Sequence, residues 1–239
     1  MLDTPVILIT GASRGIGKAI ALRFAQAGFA CALTARQAAK LQEVAQQVTE
    51  AGAPKTLVVP ADLTRDADVD RLATTVLKQW GRVDVLVNNA GVLFLKPFTE
   101  LSIEEFDQMM AVNMRAVFLL TQKIVPGMIS RKTGTIINIA SLAGKNGFKN
   151  GTGYGATKWA LRGWASSLML ELREYDIRVI TIFPGSVNTD MAGQLPSAPL
   201  PESRLQPEDV AHAAFQAYVL PQRAMMSEID LRPSNPKKG

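Results

Sequence analysis

The sequence predicts a doubly wound α/β fold, a three-layer α/β/α arrangement in which a parallel sheet lies between two layers of helices. Short, continuous apolar segments alternate along the chain with longer segments of helical periodicity. Continuous apolar strands are typical of a parallel sheet that is covered on both faces. With 239 residues, of which 47% are hydrophobic, the chain is long enough for one sizeable core and too short for two. We therefore expect a single domain over residues 1–239, with its ligand crevice at the carboxyl ends of the strands.

The predicted elements follow in chain order. The segments expected to form strands are Val6–Thr10, Ala30–Ala35, Thr56–Pro60, Val83–Asn88, Ile136–Ala140 and Val179–Phe183. The helical patterns are Ile16–Ala27, Ala38–Ala51, Asp66–Trp80, Ser102–Val125 and Tyr154–Tyr175, with a further helix after Pro207.

Local signals support two boundaries of these elements. The run Ser102-Ile103-Glu104-Glu105 has the spacing of a capping box and marks the start of the fourth helix. Residues 188–205, rich in Pro, Ser and Gly, are the least regular region, and we expect either a substrate lid loop or an ordinary mobile excursion there. Residues 233–239 are expected to form a flexible tail.

Composition argues against several classes of protein. No apolar run approaches about 18 residues, so no membrane-spanning helix is predicted, and the first residues do not have the pattern of a signal peptide. The single cysteine, Cys31, cannot form an internal disulfide and is interpreted as a core residue of a cytoplasmic protein. The net charge of +5 does not indicate a nucleic-acid partner, because the basic residues are scattered, and it favours a surface that attracts anionic small molecules.

A glycine-rich turn between the first strand and the first helix predicts a Rossmann-like phosphate site. Gly11 permits a tight turn, while Gly15 and Gly17 let a phosphate and the strand approach the start of the helix. Free backbone N–H groups and the helix dipole favour an anion at this point. The glycine spacing is wider than the usual dinucleotide-binding pattern.

The end of the second strand indicates which dinucleotide is bound. It reads Leu33-Thr34-Ala35-Arg36, without the acidic residue that binds the ribose 2′-hydroxyl of NAD. A carboxylate would repel a 2′-phosphate, whereas Arg36 can pair with it, and Arg14 in the glycine loop is placed to reach the same group. We therefore expect NADP(H) as the cofactor.

Tyr154 and Lys158 form a pair that is suited to proton transfer. They lie four residues apart in a helical segment, so their side chains are neighbours on one face. A nearby ammonium favours the phenolate, and the pair therefore predicts a lowered pKa for Tyr154. The same spacing also occurs by chance, so its meaning depends on the other motifs.

Taken together, these motifs resemble the short-chain dehydrogenase/reductase family, in its short single-domain branch. The resemblance extends from Val6 to about Arg232. Its motifs occur in order as Thr10–Gly17, Asp62-Leu63, Asn88-Asn89-Ala90-Gly91, Asn113, Ser141, Tyr154 with Lys158, and Pro184-Gly185-Ser186-Val187-Asn188-Thr189.

The resemblance implies a set of cofactor contacts. Asp62 would accept a hydrogen bond from the adenine amino group, and Val187 and Thr189 would hold the nicotinamide carboxamide. The complete implied set is Gly11, Ser13, Arg14, Gly15, Ile16, Gly17, Arg36, Asp62, Leu63, Asn89, Ala90, Gly91, Tyr154, Lys158, Val187 and Thr189. Read without the resemblance, Asp62 is equally consistent with a turn residue that precedes a helix.

The resemblance also implies four catalytic residues. Ser141 would hydrogen-bond the substrate carbonyl, and Tyr154 would protonate its oxygen as hydride reaches carbon. Lys158 would lower the pKa of the tyrosine and bind the nicotinamide ribose, and Asn113 would help hold a water that connects Lys158 to solvent. Ser141 alone is equally consistent with a turn or capping serine. No metal site is expected, since the only histidine, His212, lies outside the motifs.

The substrate is expected to meet residues 143–153 and 191–205. The first segment contains a mixed wall that suits a polar or anionic substrate, made of Lys145, Asn146, Phe148, Lys149 and Asn150. Reductases of 3-oxoacyl thioesters are the leading relatives of this size. The turn Tyr175-Asp176 lacks their basic carrier-docking residue, so other ketones, aldehydes and pterin-like compounds stay open.

The resulting prediction is an enzyme that reduces a ketone or aldehyde, such as a 3-oxoacyl thioester, with NADPH. The alternative is a catalytically idle NADP-binding regulatory protein of the same fold. Nucleotide-sugar epimerase chemistry is disfavoured because no second substrate domain fits after Thr189. We expect a homodimer or homotetramer, in which the helix from Ser102 and the tryptophan-containing helix around Tyr154–Tyr175 pair about a two-fold axis. Trp164 is expected to pack against the partner subunit.

Overall fold

The computed structural model describes residues 4–191 and 201–235, and at its centre is a sheet of seven strands. All neighbouring strands are parallel, in the order β3-β2-β1-β4-β5-β6-β7. The strands are β1 (Val6–Thr10), β2 (Ala30–Thr34), β3 (Thr56–Val58), β4 (Val85–Asn88), β5 (Gly134–Ile139), β6 (Ile177–Pro184) and β7 (Glu228–Leu231). Because the chain reverses its direction across the sheet between β1 and β4, a ligand crevice is expected at their carboxyl ends.

Helices cover both faces of the sheet, which confirms the doubly wound prediction. They are α1 (Gly15–Ala25), α2 (Ala38–Glu50), α3 (Asp66–Trp80), α4 (Ile103–Met110), α5 (Ala116–Arg131), α6 (Thr152–Leu172) and α7 (Pro207–Val219). None of these described helices is both long and apolar enough to span a membrane.

The two helical layers form because successive strand residues point to opposite faces. Ile7 and Ile9 of β1 pack in a cluster with residues of α1, α2 and α7. Val6 and Leu8 of the same strand pack in a second cluster with residues of α3, α5 and α6. Each of these four strand side chains is fully buried, which explains why the strand reads as a continuous apolar run.

The predicted start of the helix at Ser102 is confirmed, but the regularity and the end of the helix differ from the prediction. Ser102 and Glu105 form the expected capping box. The helical run then contains a π-helical stretch at Ala111–Arg115, and it continues past the expected end at Val125, with Pro126 inside α5, as far as Arg131. A π-helical stretch is a local insertion that helical periodicity does not reveal, and such insertions are frequent at functional sites.

Strand β7 is not among the strands predicted from the sequence. Its four residues read Glu-Ile-Asp-Leu and alternate between exposed and half-buried positions, as expected at the edge of a sheet. Acidic residues are uncommon in strands, so local propensity gives no signal for it.

Two further predictions fall partly outside the described residues. Residues 192–200 of the predicted lid and residues 236–239 of the predicted tail are not described. At the edges of the lid segment, Val187 and Leu205 form an isolated parallel bridge, and the Asn188 amide donates to the Leu205 carbonyl over 2.7 Å.

Candidate active site

A crevice of about 770 Å³ crosses the carboxyl edge of the sheet. It extends from Arg36 and Asp62, which follow β2 and β3, to Ser141 and Val187, which follow β5 and β6. Every predicted site residue lines it except Gly17 and Asn113. The order of the strands therefore gathers into one cavity residues that are distant in the sequence.

The glycine loop has the close approaches that its sequence predicts. Gly11 adopts a φ of +65°, and a Cβ built on it would lie 2.9 Å from the Ala90 Cα. A Cβ on Gly17 would lie 2.3 Å from the Gly11 carbonyl oxygen. Gly17 therefore allows the turn to fold against α1, and it is not among the residues that line the crevice. Its predicted contact with the cofactor stays a prediction.

The ends of β1 and β4 are tied together around this turn. The Asn89 side-chain amide donates to the carbonyls of Thr10 and Gly11 over 2.8 and 3.1 Å. The Thr10 hydroxyl accepts from the backbone amides of Asn89 and Ala90 over 2.9 and 3.0 Å. Asn89 thus holds the shape of the loop in addition to lining the crevice.

The β2 end of the crevice, here called the basic end, carries Arg36 and Lys40. Both are exposed, and Lys40 lies on the first turn of α2, four residues after Arg36. Lys40 was not predicted, although its spacing from Arg36 near the start of a helix is a usable signal. The other predicted cation, Arg14, forms an ion pair with Asp190 in the segment after β6.

Asp62 lies on the wall of the basic end and is partly engaged within the protein. Its Oδ1 accepts from the Thr64 amide over 3.0 Å and from the Thr64 hydroxyl over 2.8 Å. Both interpretations of this residue therefore hold in part, because it forms a turn and also faces the crevice.

Ser141 and Tyr154 meet at the opposite end, here called the reaction end. Ser141 follows β5, and its Oγ accepts from the Ala143 amide over 3.1 Å, which caps a short 3₁₀ turn. Tyr154 lies near the start of α6, with 8% of its surface exposed. Burial raises the pKa of Tyr154 to about 12, and a hydrogen bond with Ser141 acts in the opposite direction.

Lys158 lies near Tyr154 as predicted, but the pKa of the tyrosine is not lowered. Its side chain is buried, and Nζ donates to the Ile139 carbonyl over 3.0 Å, at 5.7 Å from the centre of the Tyr154 ring. Burial lowers the pKa of Lys158 to about 8, so most of the amine is still protonated at pH 7. The expected lowering of the Tyr154 pKa is wrong for this structure, because burial disfavours the phenolate more than the hydrogen bond with Ser141 favours it.

Asn113 lies in the π-helical stretch and is fully buried. Its Oδ1 accepts from the Val92 amide over 2.8 Å, while Nδ2 donates to the Val92 carbonyl and to the Thr157 hydroxyl over 2.9 and 3.1 Å. The side chain therefore connects the wall after β4 to α6. Asn113 is not among the residues that line the crevice, and its predicted role in holding a water near Lys158 stays a prediction.

Thr157 is a site residue that sequence reasoning missed. It is fully buried, and its hydroxyl donates to the Tyr154 carbonyl over 2.8 Å while accepting from Asn113. Its position three residues after Tyr154 places it on the same side of α6. The helical spacing of Thr157 from Tyr154 was the sequence signal that could have indicated this contact.

The predicted mixed wall after Ser141 is only partly correct. Asn146 and Phe148 line the crevice, whereas Lys145, Lys149 and Asn150 do not. The Lys145 ammonium lies 2.7 Å from a Glu228 carboxylate oxygen and 2.6 Å from an Asp230 oxygen, both on β7. The lysine that was expected to meet the substrate is therefore ion-paired with two carboxylates of the edge strand that the sequence did not predict.

This arrangement fits a bound nicotinamide dinucleotide. The glycine loop leaves the start of α1 open to a phosphate, and the basic end has two cations for a further phosphate. The reaction end places two hydroxyls and a buried ammonium at the far side of the same cavity. An elongated ligand with anionic groups at one end and a reactive ring at the other matches these features.

Comparison with known proteins agrees with this geometry. A family model described as short chain dehydrogenase matches residues 5–199. Over 237 residues the chain is 35% identical to a sepiapterin reductase of Chlorobaculum tepidum, with 96% of each chain covered.

Two solved structures have closely similar folds. A metagenomic short-chain oxidoreductase in complex with NADP is 37% identical, with a TM-score of 0.85 and 97% of each chain covered. A 3-ketoacyl-(acyl-carrier-protein) reductase of Brucella melitensis, complexed with NADH, is 31% identical, with a TM-score of 0.86. That comparison covers 96% of this chain and 97% of the other.

Proposed function

Because this chain belongs to the short-chain dehydrogenase/reductase family of oxidoreductases, we propose that it uses NADPH to reduce a ketone or aldehyde to an alcohol. The observation that carries the proposal is the group of Ser141, Tyr154 and Lys158 at one end of a crevice that has a phosphate loop and two cations at its other end. NADPH is favoured over NADH because Arg36 follows β2 where an acidic residue would otherwise bind the ribose.

The residues at the reaction end have separate tasks in this reduction. When bound, NADPH supplies the hydride that is added to the carbonyl carbon. Negative charge then develops on the carbonyl oxygen, which the Ser141 and Tyr154 hydroxyls are placed to stabilise by hydrogen bonds. Tyr154 retains its proton at neutral pH and donates it to that oxygen.

Lys158 supports the proton transfer from a buried position. The positive charge on Nζ favours the phenolate that forms when Tyr154 gives up its proton. Since the Nζ hydrogen bond to Ile139 holds the amine near this point, the charge is already in place before the reaction. Asn113 and Thr157 act as positioning residues that hold α6 against the wall after β4.

The proposal extends to the class of substrate and to the location of the protein. A 3-oxoacyl thioester and a pterin-like carbonyl compound are both candidate substrates, and two similar proteins described above are named as reductases of this general kind. We also propose a cytoplasmic location, because the only cysteine, Cys31, is buried and has no intramolecular disulfide partner.

The test of the proposed function is Tyr154→Phe. Loss of the acid should lower kcat for carbonyl reduction by about 100-fold or more. NADPH binding, measured by fluorescence titration, should be nearly unchanged, because the aromatic ring remains. Tyr175→Phe serves as a matched control, since Tyr175 lies outside the crevice. Full turnover by Tyr154→Phe would refute the assignment, and NADPH binding without reduction of any carbonyl by the wild type would favour the idle binding protein.

A further inference from the structure

The reaction end of the crevice has an apolar wall. Leu93 lies after β4, Leu142 and Ala143 follow Ser141, and Met191 lies in the segment after β6. Leu93, Ala143 and Met191 pack in one cluster with the Tyr154 ring. These residues line the same cavity as the two hydroxyls that are placed to hold the reacting carbonyl.

Polar groups on this wall are uncharged. Gln108 and Val112 face the crevice from the helical run that starts at Ile103, and Asn146 and Phe148 face it from the segment after Ser141. The Asn146 amide donates to the Leu142 carbonyl over 3.2 Å. The wall therefore offers amide groups for hydrogen bonds and no carboxylate or cation of its own.

Charged residues of the described crevice lie elsewhere or are engaged. Arg36, Lys40 and Asp62 lie at the basic end, and Arg14 is paired with Asp190. Among the described residues that line the reaction end, Lys158 is the one charged side chain, and its ammonium is buried beside Ile139 and Tyr154.

Two of the nearby lysines outside the crevice pair with carboxylates, whereas Lys149 is exposed and does not line the cavity. Lys145 pairs with Glu228 and Asp230, and the Lys96 ammonium lies 2.6 Å from a Glu105 oxygen.

Burying an anion beside apolar groups is strongly unfavourable unless a cation is available to pair with it. The one cation among the described residues of the reaction end, Lys158, is held at the Ile139 carbonyl and is assigned above to the Tyr154 phenolate. We propose that the substrate is an uncharged carbonyl compound whose body is apolar, with neutral hydrogen-bonding groups within reach of Gln108 and Asn146. This inference rests on the proposed carbonyl reduction. It replaces the polar or anionic substrate that the sequence of residues 145–150 suggested.

Pairs of substrates in which an ester replaces a carboxylate test the inference. Methyl benzoylformate is compared with benzoylformate, and ethyl acetoacetate with acetoacetate, in NADPH oxidation assays with the wild-type protein. The neutral member of each pair should have a kcat/KM about tenfold or more above that of its carboxylate. Binding of the same compounds to the NADP⁺-loaded protein, followed by saturation-transfer NMR, should show the same order without requiring turnover.

The outcomes separate this inference from the proposed function. Reduction of the carboxylates as fast as the esters would overturn the neutral-substrate inference and leave carbonyl reduction standing. If no compound is reduced although NADPH binds, the proposed function fails. In that case NMR binding of the esters alone would still support the neutral pocket, and equal or absent binding of both members would overturn it.

A charge placed on the wall provides an independent test. Gln108→Lys should raise the carboxylate-to-ester ratio of kcat/KM several-fold, because the new cation faces the cavity, whereas the uncharged Gln108→Met should not. Circular dichroism and NADPH titration report whether either variant has lost its fold or its cofactor site. A folded Gln108→Lys protein with an unchanged ratio would show that the substrate does not meet this wall and would overturn the inference.

Discussion

Arg14 and Arg36 are both predicted from the sequence to contact the 2′-phosphate of the cofactor. In the structure they lie in different environments. Arg36 is exposed on the wall of the basic end, beside Lys40 on the same wall. Arg14 is paired with Asp190, so its guanidinium is already engaged. Both side chains of that pair are more than half exposed, so the pair contributes little stability and can be exchanged for a phosphate contact. Arg36 is therefore the cation most directly available to a 2′-phosphate.

Arg36→Ala should change the choice of cofactor. Loss of charge-assisted hydrogen bonds should weaken NADPH binding by about 10- to 100-fold, while NADH binding, which involves no 2′-phosphate, should be nearly unchanged. Dissociation constants from fluorescence titration of both cofactors measure the difference. Arg173→Ala, at an exposed position outside the crevice, is the matched control. Equal losses for NADPH and NADH, or a wild type that prefers NADH, would contradict this assignment of Arg36.

At the scale of elements, the π-helical stretch connects the helical run from Ile103 to the catalytic helix α6. It contains Asn113, whose side-chain amide reaches both Val92 and Thr157. Thr157 in turn hydrogen-bonds the carbonyl of Tyr154. Three segments that surround the reaction end are thereby joined by one chain of buried hydrogen bonds, and such chains are costly to break.

Thr157→Val removes the hydroxyl from this chain and keeps the shape of the side chain. We expect a loss of about 1–2 kcal/mol in the free energy of unfolding, measured with urea, because a buried hydrogen-bonding group is lost. We also expect kcat to fall by about 5- to 30-fold as Tyr154 is displaced, with little change in NADPH binding.

Two further variants separate positioning from plain destabilisation. Thr157→Ser should restore kcat because it keeps the hydroxyl. Thr75→Val removes a comparable bond to the Arg71 carbonyl on the exposed side of α3 and should leave kcat unchanged. A normal kcat in Thr157→Val, or no recovery in Thr157→Ser, would show that Thr157 does not position the catalytic tyrosine.

The edge strand β7 illustrates how a distant element shapes the site. Glu228 accepts from Arg162 of α6 over 2.8 Å and lies 2.7 Å from Lys145 of the segment after Ser141. Lys145 also lies 4.1 Å from the centre of the Phe183 ring. These contacts anchor the Ser141 segment to the sheet and remove a cation from the substrate side.

At the scale of the whole molecule, exposed apolar side chains support the prediction of a homo-oligomer. Trp159 and Leu170 are 49% and 55% exposed and lie three helical turns apart on one side of α6. Phe118 of α5 is 45% exposed. Trp164, the other tryptophan on α6, packs against core clusters instead and does not belong to this surface.

We expect the wild type to be a dimer or tetramer by multi-angle light scattering at micromolar concentration. Leu170→Asp should shift it towards smaller species, since a charge in an apolar interface is unfavourable. Val219→Asp, at an apolar position that is 49% exposed on α7, in the helical layer on the other face of the sheet, should leave the mass unchanged. A monomeric wild type would refute the prediction, and a mass unaffected by Leu170→Asp would exclude this face as the interface.

Local sequence patterns were sufficient to predict the fold class and most of the elements, and nearly all of the predicted site residues line the crevice. Buried parallel strands, helix starts and the glycine turn each leave a signal within a few neighbouring residues, such as the capping box at Ser102. The positions of Ser141, Tyr154 and Lys158 could be assigned before their geometry was known because the ordered set of motifs resembles that of the family.

The tertiary structure alone decided what those side chains contact and how they ionise. Arg14 meets Asp190 across 176 positions, Lys145 meets Asp230 across 85, and Asn113 meets Thr157 across 44. Burial, which raises the pKa of Tyr154, likewise depends on how whole elements pack. Long-range pairing and desolvation arise only when distant segments come together, so no local pattern in the sequence could have indicated them.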